Sequence, residues 1–190
     1  MDHRTTVELT AGLDHIRSSP ADGGALVLIA TRPIPGEREE LETARLGCDL
    51  GLVGDGWLER GSRHSPDGSA EIDRQLTIVN ARAMALFAGD PARRSLAGDQ
   101  LYVDLDVSSD NLPPGTQLGI GEAVVEVTTK PHTGCAKFTK RFGLDVTRFI
   151  NSPDGQTLRV RGINARVVQS GAIAVGDLVR KVVLGRSFPA

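Results

Sequence analysis

The sequence predicts a mainly β protein of the α+β kind, a barrel of short, mostly antiparallel strands with short peripheral helices. Three observations lead there. Beyond residue 100 the apolar residues Leu101, Val103, Leu105 and Val107 alternate with polar or amphipathic ones, the period of two of a strand with one buried face. Further strand-length apolar segments follow at close intervals, with Gly and Pro between them. The chain carries 22 glycines and 10 prolines, which suits many tight turns between short strands better than a parallel sheet wrapped in long helices.

Taken in order, Thr5-x-x-Glu8 is a capping-box pattern, followed by Leu9, Leu13 and Ile16 at helical spacing, with Gly12 weakening the helix. Pro20 to Gly24 is turn-rich, and Ala25-Leu-Val-Leu-Ile-Ala30 is a continuous apolar run expected to be a strand buried on both faces. Gly47, Gly51, Gly54 and Gly56, around Asp55 and Trp57, read as loop. The polar stretch Glu59 to Arg74, with the turn Ser65-Pro66-Asp67-Gly68, reads as a mobile excursion. Thr77 to Val79 is a strand, Asn80 caps a helix over 81–88, and Gly89 ends it. Strands are expected over 101–107, 117–120, 123–129, 158–161, 163–168 and 177–184, interrupted by helices over 135–142 and 146–150.

Length and charge bound the function. A chain of 190 residues supports one compact domain with a real core. Its formal charge of −2 gives no polyanion-binding signature, so nucleic-acid partners are not expected. The chain has no apolar run of membrane-spanning length and no secretory leader, so a cytoplasmic protein is expected, with no membrane partner. Cys48 and Cys135 are the only cysteines, too few for a disulfide framework.

The segment Lys130-Pro131-His132-Thr133-Gly134-Cys135-Ala136-Lys137 places one thiol at a helix start among basic residues, with Thr133 as the expected N-cap and Phe138 and Phe142 on one face. Unpaired amides and positive charge favour the thiolate, the form that attacks, carries sulfur or binds a soft metal. Cys135 reads equally as a small apolar plug in a core. His132, three residues earlier, is a candidate base or orienting group for it, although a solvated loop histidine fits the same pattern. Asp104 and Asp106 share a strand face and read as its solvated side. Cys and His at these spacings do not make a zinc site. Asp55 reads as a turn former or an orienting group, and Asn111, before Leu112-Pro113-Pro114-Gly115, as turn chemistry.

The ordered set Gly51-Leu-Val-Gly54-Asp55, Thr77-Ile-Val-Asn80, Asp110-Asn111-Leu112, Pro131-His-Thr-Gly-Cys135 and Arg161-Gly162…Arg166-Val167…Gly171…Val175-Gly-Asp177 resembles the MOSC domain, found at the C-terminus of molybdenum-cofactor sulfurases. The resemblance implies a MOSC β-barrel over 25–184, preceded by a helix and lead-in segment over 1–24 and followed by a tail over 185–190. It also implies a molybdenum-pterin (molybdopterin) cofactor, with Cys135 carrying sulfur as a persulfide or ligating the metal. The implied activity is sulfur transfer, or reduction of N-hydroxylated compounds. A cysteine desulfurase as sulfur donor, or a redox partner, is then expected. Pyridoxal phosphate belongs to a separate domain that this barrel has no room for. Gly54, Asp55 and Asn111 match family motif positions, and Arg32, Arg38 and Arg161 lie in or beside them as partners for a pterin phosphate. Gly56-Trp57 departs from the charged residue and histidine that often follow the family's Gly-Asp pair. The competing reading is a non-catalytic cofactor- or protein-binding barrel with a structural Cys.

Overall fold

The computed structural model describes residues 3–62 and 65–182. Eleven strands and seven short helices follow one another as α1 (Thr6–Ala11), α2 (Leu13–Arg17), β1 (Gly24–Thr31), β2 (Glu39–Leu41), β3 (Thr43–Gly47), β4 (Gly51–Leu52), α3 (Trp57–Arg60), β5 (Leu76–Asn80), α4 (Ala81–Ala88), β6 (Leu101–Asp104), β7 (Gln117–Ile120), β8 (Ala123–Val127), α5 (Ala136–Phe142), α6 (Leu144–Ile150), α7 (Pro153–Thr157), β9 (Ile163–Gln169), β10 (Gly171–Ala174) and β11 (Leu178–Lys181). The main sheet runs β11-β7-β8-β9-β5-β6-β1, and β1 pairs back to β11, so seven strands close a barrel, with β2 as an eighth strand on β1. All these pairs are antiparallel except β5 with β6. A parallel pair needs a crossover, and α4 with the 3-10 turn Pro91–Ala97 supplies it. None of the described helices is long and apolar enough to cross a membrane.

Alternation decides which side chains fill the barrel. Leu76 and Ile78 of β5, Leu101 and Val103 of β6, Leu118 and Ile120 of β7, and Ile163, Ala165 and Val167 of β9 all join one buried cluster. In β1 the inward residues are Leu26 and Ile29, a spacing of three that alternation alone forbids. A register shift between Leu26 and Leu28 resolves it: Val27 is the extra residue and is 38% exposed, so the run is not buried on both faces as expected.

A second core lies on the outer wall of β1, β5 and β6. There Ala30, Val79 and Tyr102 meet Leu9, Leu13 and Ile16 of the N-terminal helices, Met84 and Phe87 of α4, and Phe138, Phe142 and Phe149 of α5 and α6. The helix after Cys135 thus packs on this wall. Tyr102 is consequently 1% exposed, and the expected one-sided strand is buried on both faces.

Other expectations change as well. The N-terminal capping box forms, but Gly12 divides the helix into α1 and α2. The glycine-rich stretch around 47–57 holds β4 and α3, and β3, β4 and β10 form a separate three-stranded sheet. β6 ends at Asp104 because Asp106 turns the chain, its Oδ1 accepting from Ser108 N at 2.9 Å. Asp104 is paired with Arg82 at 2.7 Å, so it is only partly a solvated face. Residues 158–161 form a turn and not a strand, with Val160 plugged into the helical core. The middle of the stretch 59–74, the end of the last expected strand and the tail 185–190 fall outside the described residues.

Asn80 joins the two cores. Its Oδ1 accepts from Ala83 N at 2.9 Å to start α4, and its Nδ2 donates to Ser19 Oγ and Leu105 O, each at 2.8 Å. Asn80→Ala removes a helix cap and strands two buried partners, so it is expected to lower stability by about 2–3 kcal/mol in urea unfolding. A loss within ~0.5 kcal/mol would show that the junction does not depend on this side chain.

Candidate functional site

Two buried carboxylates organise the arginines. Asp55 is presented by a turn in which Gly54 takes φ +86, a conformation side-chain-bearing residues rarely adopt. Its carboxylate is fully buried, and Arg32 grips both oxygens, Nε to Oδ2 at 2.8 Å and Nη2 to Oδ1 at 2.9 Å. The Arg32 backbone N–H adds a bond to Oδ2 at 3.0 Å, and Gly56 N donates to Arg32 O at 3.0 Å, so strand end and turn are zipped together. Arg60 of α3 stands 3.9 Å from the same carboxylate.

The second carboxylate, Asp99, was not foreseen from the sequence. Arg161 Nη1 reaches its two oxygens at 2.9 and 2.7 Å, and His132 Nε2 lies 3.4 Å from Oδ1. Burial pushes the Asp99 carboxyl up, but Arg161, His132 and Arg32 outweigh it and hold it below the usual range. Arg161 also lies over the Phe138 ring, 4.5 Å from its centroid, and so bears on α5 one turn beyond Cys135.

Between these carboxylates runs the turn at Leu96, Ala97 and Gly98, and guanidinium groups from three separate elements donate to its successive carbonyls. Arg141 Nη1 donates to Leu96 O at 2.5 Å, Arg161 Nη2 to Ala97 O at 3.4 Å and Arg32 Nη1 to Gly98 O at 2.9 Å. Arg38 completes the cluster. Burial first, then the like charges of Arg141 and Arg32, lower its guanidinium below the ordinary arginine value. The Nε atoms of Arg38 and Arg161 are buried without partners. Unpaired buried donors beside surplus positive charge fit an anionic group with several acceptor oxygens.

Cys135 is exposed and is itself the N-cap of α5, with φ −116 and ψ 169; the expected cap, Thr133, lies two residues before it. No side chain caps this helix start. His132 is set apart from the thiol by its own partners. Burial, then Arg161, lower the imidazole to about 3 against Asp99, so it is neutral at physiological pH. With Nε2 facing Asp99, Nδ1 is left buried and without a partner. His132, Gly134 and Arg161 also line a cleft of about 350 Å³ whose wall does not include Cys135.

Of the residues singled out in the sequence, Arg32, Arg38, Gly54, Asp55, Arg161 and His132 gather around the Leu96–Gln100 segment. Asn111 does not join them. Its Nδ2 donates to Ala21 O at 2.9 Å and Asp106 O at 2.7 Å, while its Oδ1 accepts from Lys181 Nζ at 2.5 Å, so its side chain is committed to holding a loop. Sequence reasoning missed Asp99 and Gln100, and counted Arg141 only among the basic residues near Cys135. The available signal was Gly98-Asp99-Gln100, polar residues set directly against the apolar start of β6.

Two outcomes are expected. Cys135 should react with iodoacetamide faster than Cys48, which is half-buried and whose Sγ accepts from Ser170 Oγ at 3.4 Å. Peptide mapping after competitive labelling decides this, and equal labelling would contradict it. His132 also gives stability a pH dependence. Below its ordinary value of 6.5 the unfolded chain takes a proton that the folded chain refuses until about 3. Stability is therefore complete above that upper value and falls with acidification, by up to roughly 1.4 kcal/mol per pH unit. His132→Asn should flatten urea-unfolding stability between neutral pH and about pH 5, where carboxylates do not yet contribute. An unchanged slope would contradict the assignment.

The chain matches the family model described as the MOSC domain over residues 66–180, more than half its length. No curated protein matches it in sequence. Among solved structures it is similar to the YUAD protein from Bacillus subtilis, at 18% identity and a TM-score of 0.56 over 82% of this chain and 93% of that one. YiiM from Escherichia coli is similar at 18% identity and a TM-score of 0.54, over 84% of this chain and 70% of that one. YiiM from Geobacillus stearothermophilus gives 18% identity and 0.55, over 85% and 76%. These likenesses concern the fold, and together with the family match they identify the chain as a member of the MOSC domain family.

Proposed function

We propose that this protein binds a molybdenum-pterin cofactor through its arginine cluster and uses Cys135 as the thiolate that carries sulfur or ligates the metal. The observation that carries this reading is the convergence of Arg32, Arg38, Arg141 and Arg161 on one turn, with two buried guanidinium nitrogens unpartnered, next to the helix that Cys135 caps. Family membership supplies the cofactor class. Among the described residues no group of three or more His, Cys, Asp or Glu is placed to hold a metal ion, so molybdenum here would arrive with its pterin's own ligands. When bound, the cofactor supplies a soft metal centre for sulfur or redox exchange.

The chain's residues then have separable duties. Arg32, fixed by Asp55, and Arg161, fixed by Asp99, hold a phosphate in place, and Arg38 contributes a charge that no carboxylate pairs with among the described residues. Neutral His132 orients the Cys135 segment against Asp99 and adds no positive charge beside the thiol. Loading of sulfur is an exchange with a desulfurase-bound persulfide. The Cys135 thiolate attacks the outer sulfur; a new S–S bond forms at Cys135 as the donor's S–S bond breaks, and the donor leaves as a thiolate. Exposure of Cys135 suits a macromolecular donor or redox partner, which a buried thiol would exclude. Reduction of N-hydroxylated compounds is the activity this arrangement would support when Cys135 ligates the metal.

A second reading, a cofactor-binding barrel without chemistry at the thiol, is favoured by one observation: Cys135 is absent from the wall of the 350 Å³ cleft. The test separates the two. Protein purified from its own host is expected to contain molybdenum, and protein incubated with a desulfurase and cysteine to gain one reducible sulfur; Cys135→Ser should gain none. If wild type gains no sulfur while the serine variant retains its molybdenum and any activity, Cys135 is structural and the binding-domain reading replaces this one.

A further inference from the structure

The cleft of about 350 Å³ beside His132 differs in chemistry from the arginine cluster. Its lining includes Lys130, His132, Arg159 and Arg161 and not one Asp or Glu, while Pro131, Ile150 and Ile163 give it apolar walls. Two of its cations are already answered, Lys130 by Glu71 at 3.4 Å and Arg161 by Asp99 at 2.7 Å. Arg159 is not. It is half-buried, its Nη1 donates to Leu112 O at 2.8 Å, and among the described residues no carboxylate pairs with it. Burial alone lowers its guanidinium from the ordinary value, with no acidic neighbour opposing.

The backbone adds a second, independent sign. Among the described residues Arg159 is the only one besides glycines with positive φ, at 46°. Such a conformation costs free energy in a β-unbranched residue and persists where its surroundings impose it, often at ligand sites. Here the tight turn Arg159–Gly162, closed by Gly162 N donating to Arg159 O at 2.6 Å, places both arginines in the cleft lining. Gly162, also in the lining, has φ +102, and a Cβ there would stand 2.4 Å from Ile78 O and 3.2 Å from His132 Nδ1. His132 Nδ1 is buried beneath this glycine and has no partner, so it is not open to the cleft.

We propose that this cleft binds a small monocarboxylate with an apolar body, its carboxylate held by Arg159. One uncompensated positive charge matches one negative charge, which favours a carboxylate over a phosphate dianion. Pro131, Ile150 and Ile163 take the apolar body. The proposal does not depend on the cofactor reading, because Arg159 is outside the arginine cluster at Leu96–Gly98.

The test is calorimetric titration of the full chain with mandelate, mandelamide and inorganic phosphate, with amide chemical shifts locating the site. Mandelate should bind saturably and shift Arg159 and Ile163 but not Arg32. Mandelamide, the uncharged isostere, and phosphate should each bind at least about tenfold more weakly. Arg159→Gln should weaken mandelate by a similar factor, and Arg159→Gly, whose residue suits the positive φ, should stay folded by circular dichroism yet lose mandelate binding. The proposal is overturned if mandelate does not saturate at millimolar concentration, if phosphate or mandelamide binds as tightly, or if Arg159→Gln leaves affinity unchanged.

Discussion

The buried Asp99 carboxylate is the interaction on which the site depends. It lies at the entrance to β6, and three parts of the chain distant in sequence meet on it: the turn carrying Arg161, the segment carrying His132, and, through Arg161 stacked on Phe138, helix α5. Taking such a charge out of water is costly, and Arg161 repays that only by reaching both of its oxygens. Removing either member would leave a lone charge inside the second core, typically a loss of about 3–5 kcal/mol. A pair of this kind contributes less to net stability than to specifying one arrangement, since neither group can be moved without stranding the other.

The location of that pair follows from the barrel. Closing seven strands leaves one outer wall, at β1, β6 and β5, rich enough in apolar side chains to need a cover. The parallel pairing of β5 and β6 forces the chain over this wall through α4, and the N-terminal helices and α5 to α6 fill the remainder. The site sits where this helical cover meets the strand ends, so its arginines are drawn from a strand end, a loop, a turn and a helix. A site assembled this way needs buried polar anchors, and Asn80, Asp55, Asp99 and Gln100 are among the few buried polar residues in the protein.

The parts of this architecture with a local cause were legible in the sequence. The strands β7 to β9, the capping box at Thr5 and Glu8, and the Asn80 cap each rest on residues close in sequence, and each appears where it was expected, with β8 two residues shorter. The parts with a distant cause were not. Leu158 to Arg161 looks like a strand by composition, but Arg159 bonding to Leu112 O and Val160 seated among helices bend it into a turn. Tyr102 looked like the wet side of a strand, and became buried because helices cover that wall, its hydroxyl donating to Arg94 O at 3.0 Å. Asp99 showed only as part of the polar run Gly98-Asp99-Gln100, and its partner Arg161 is brought near by the fold alone. The position of Cys135 at a helix start was read correctly, while the residue that caps that start was not.

Sorting the arginines by their partners separates structure from capacity to bind. Arg32 and Arg161 are matched by Asp55 and Asp99 in buried pairs, so their first duty is to fix strand ends and turns. Arg38 and Arg141 at the cluster, and Arg159 at the cleft, have carbonyl partners, and no carboxylate pairs with any of them among the described residues. A carbonyl orients a guanidinium without neutralising it, so these three retain the charge that an anionic ligand would answer. They fall into two groups, one beside the turn at Leu96–Gly98 and one beside Gly162. Arg161 belongs to both, donating to Ala97 O and lining the cleft, with its charge held by Asp99.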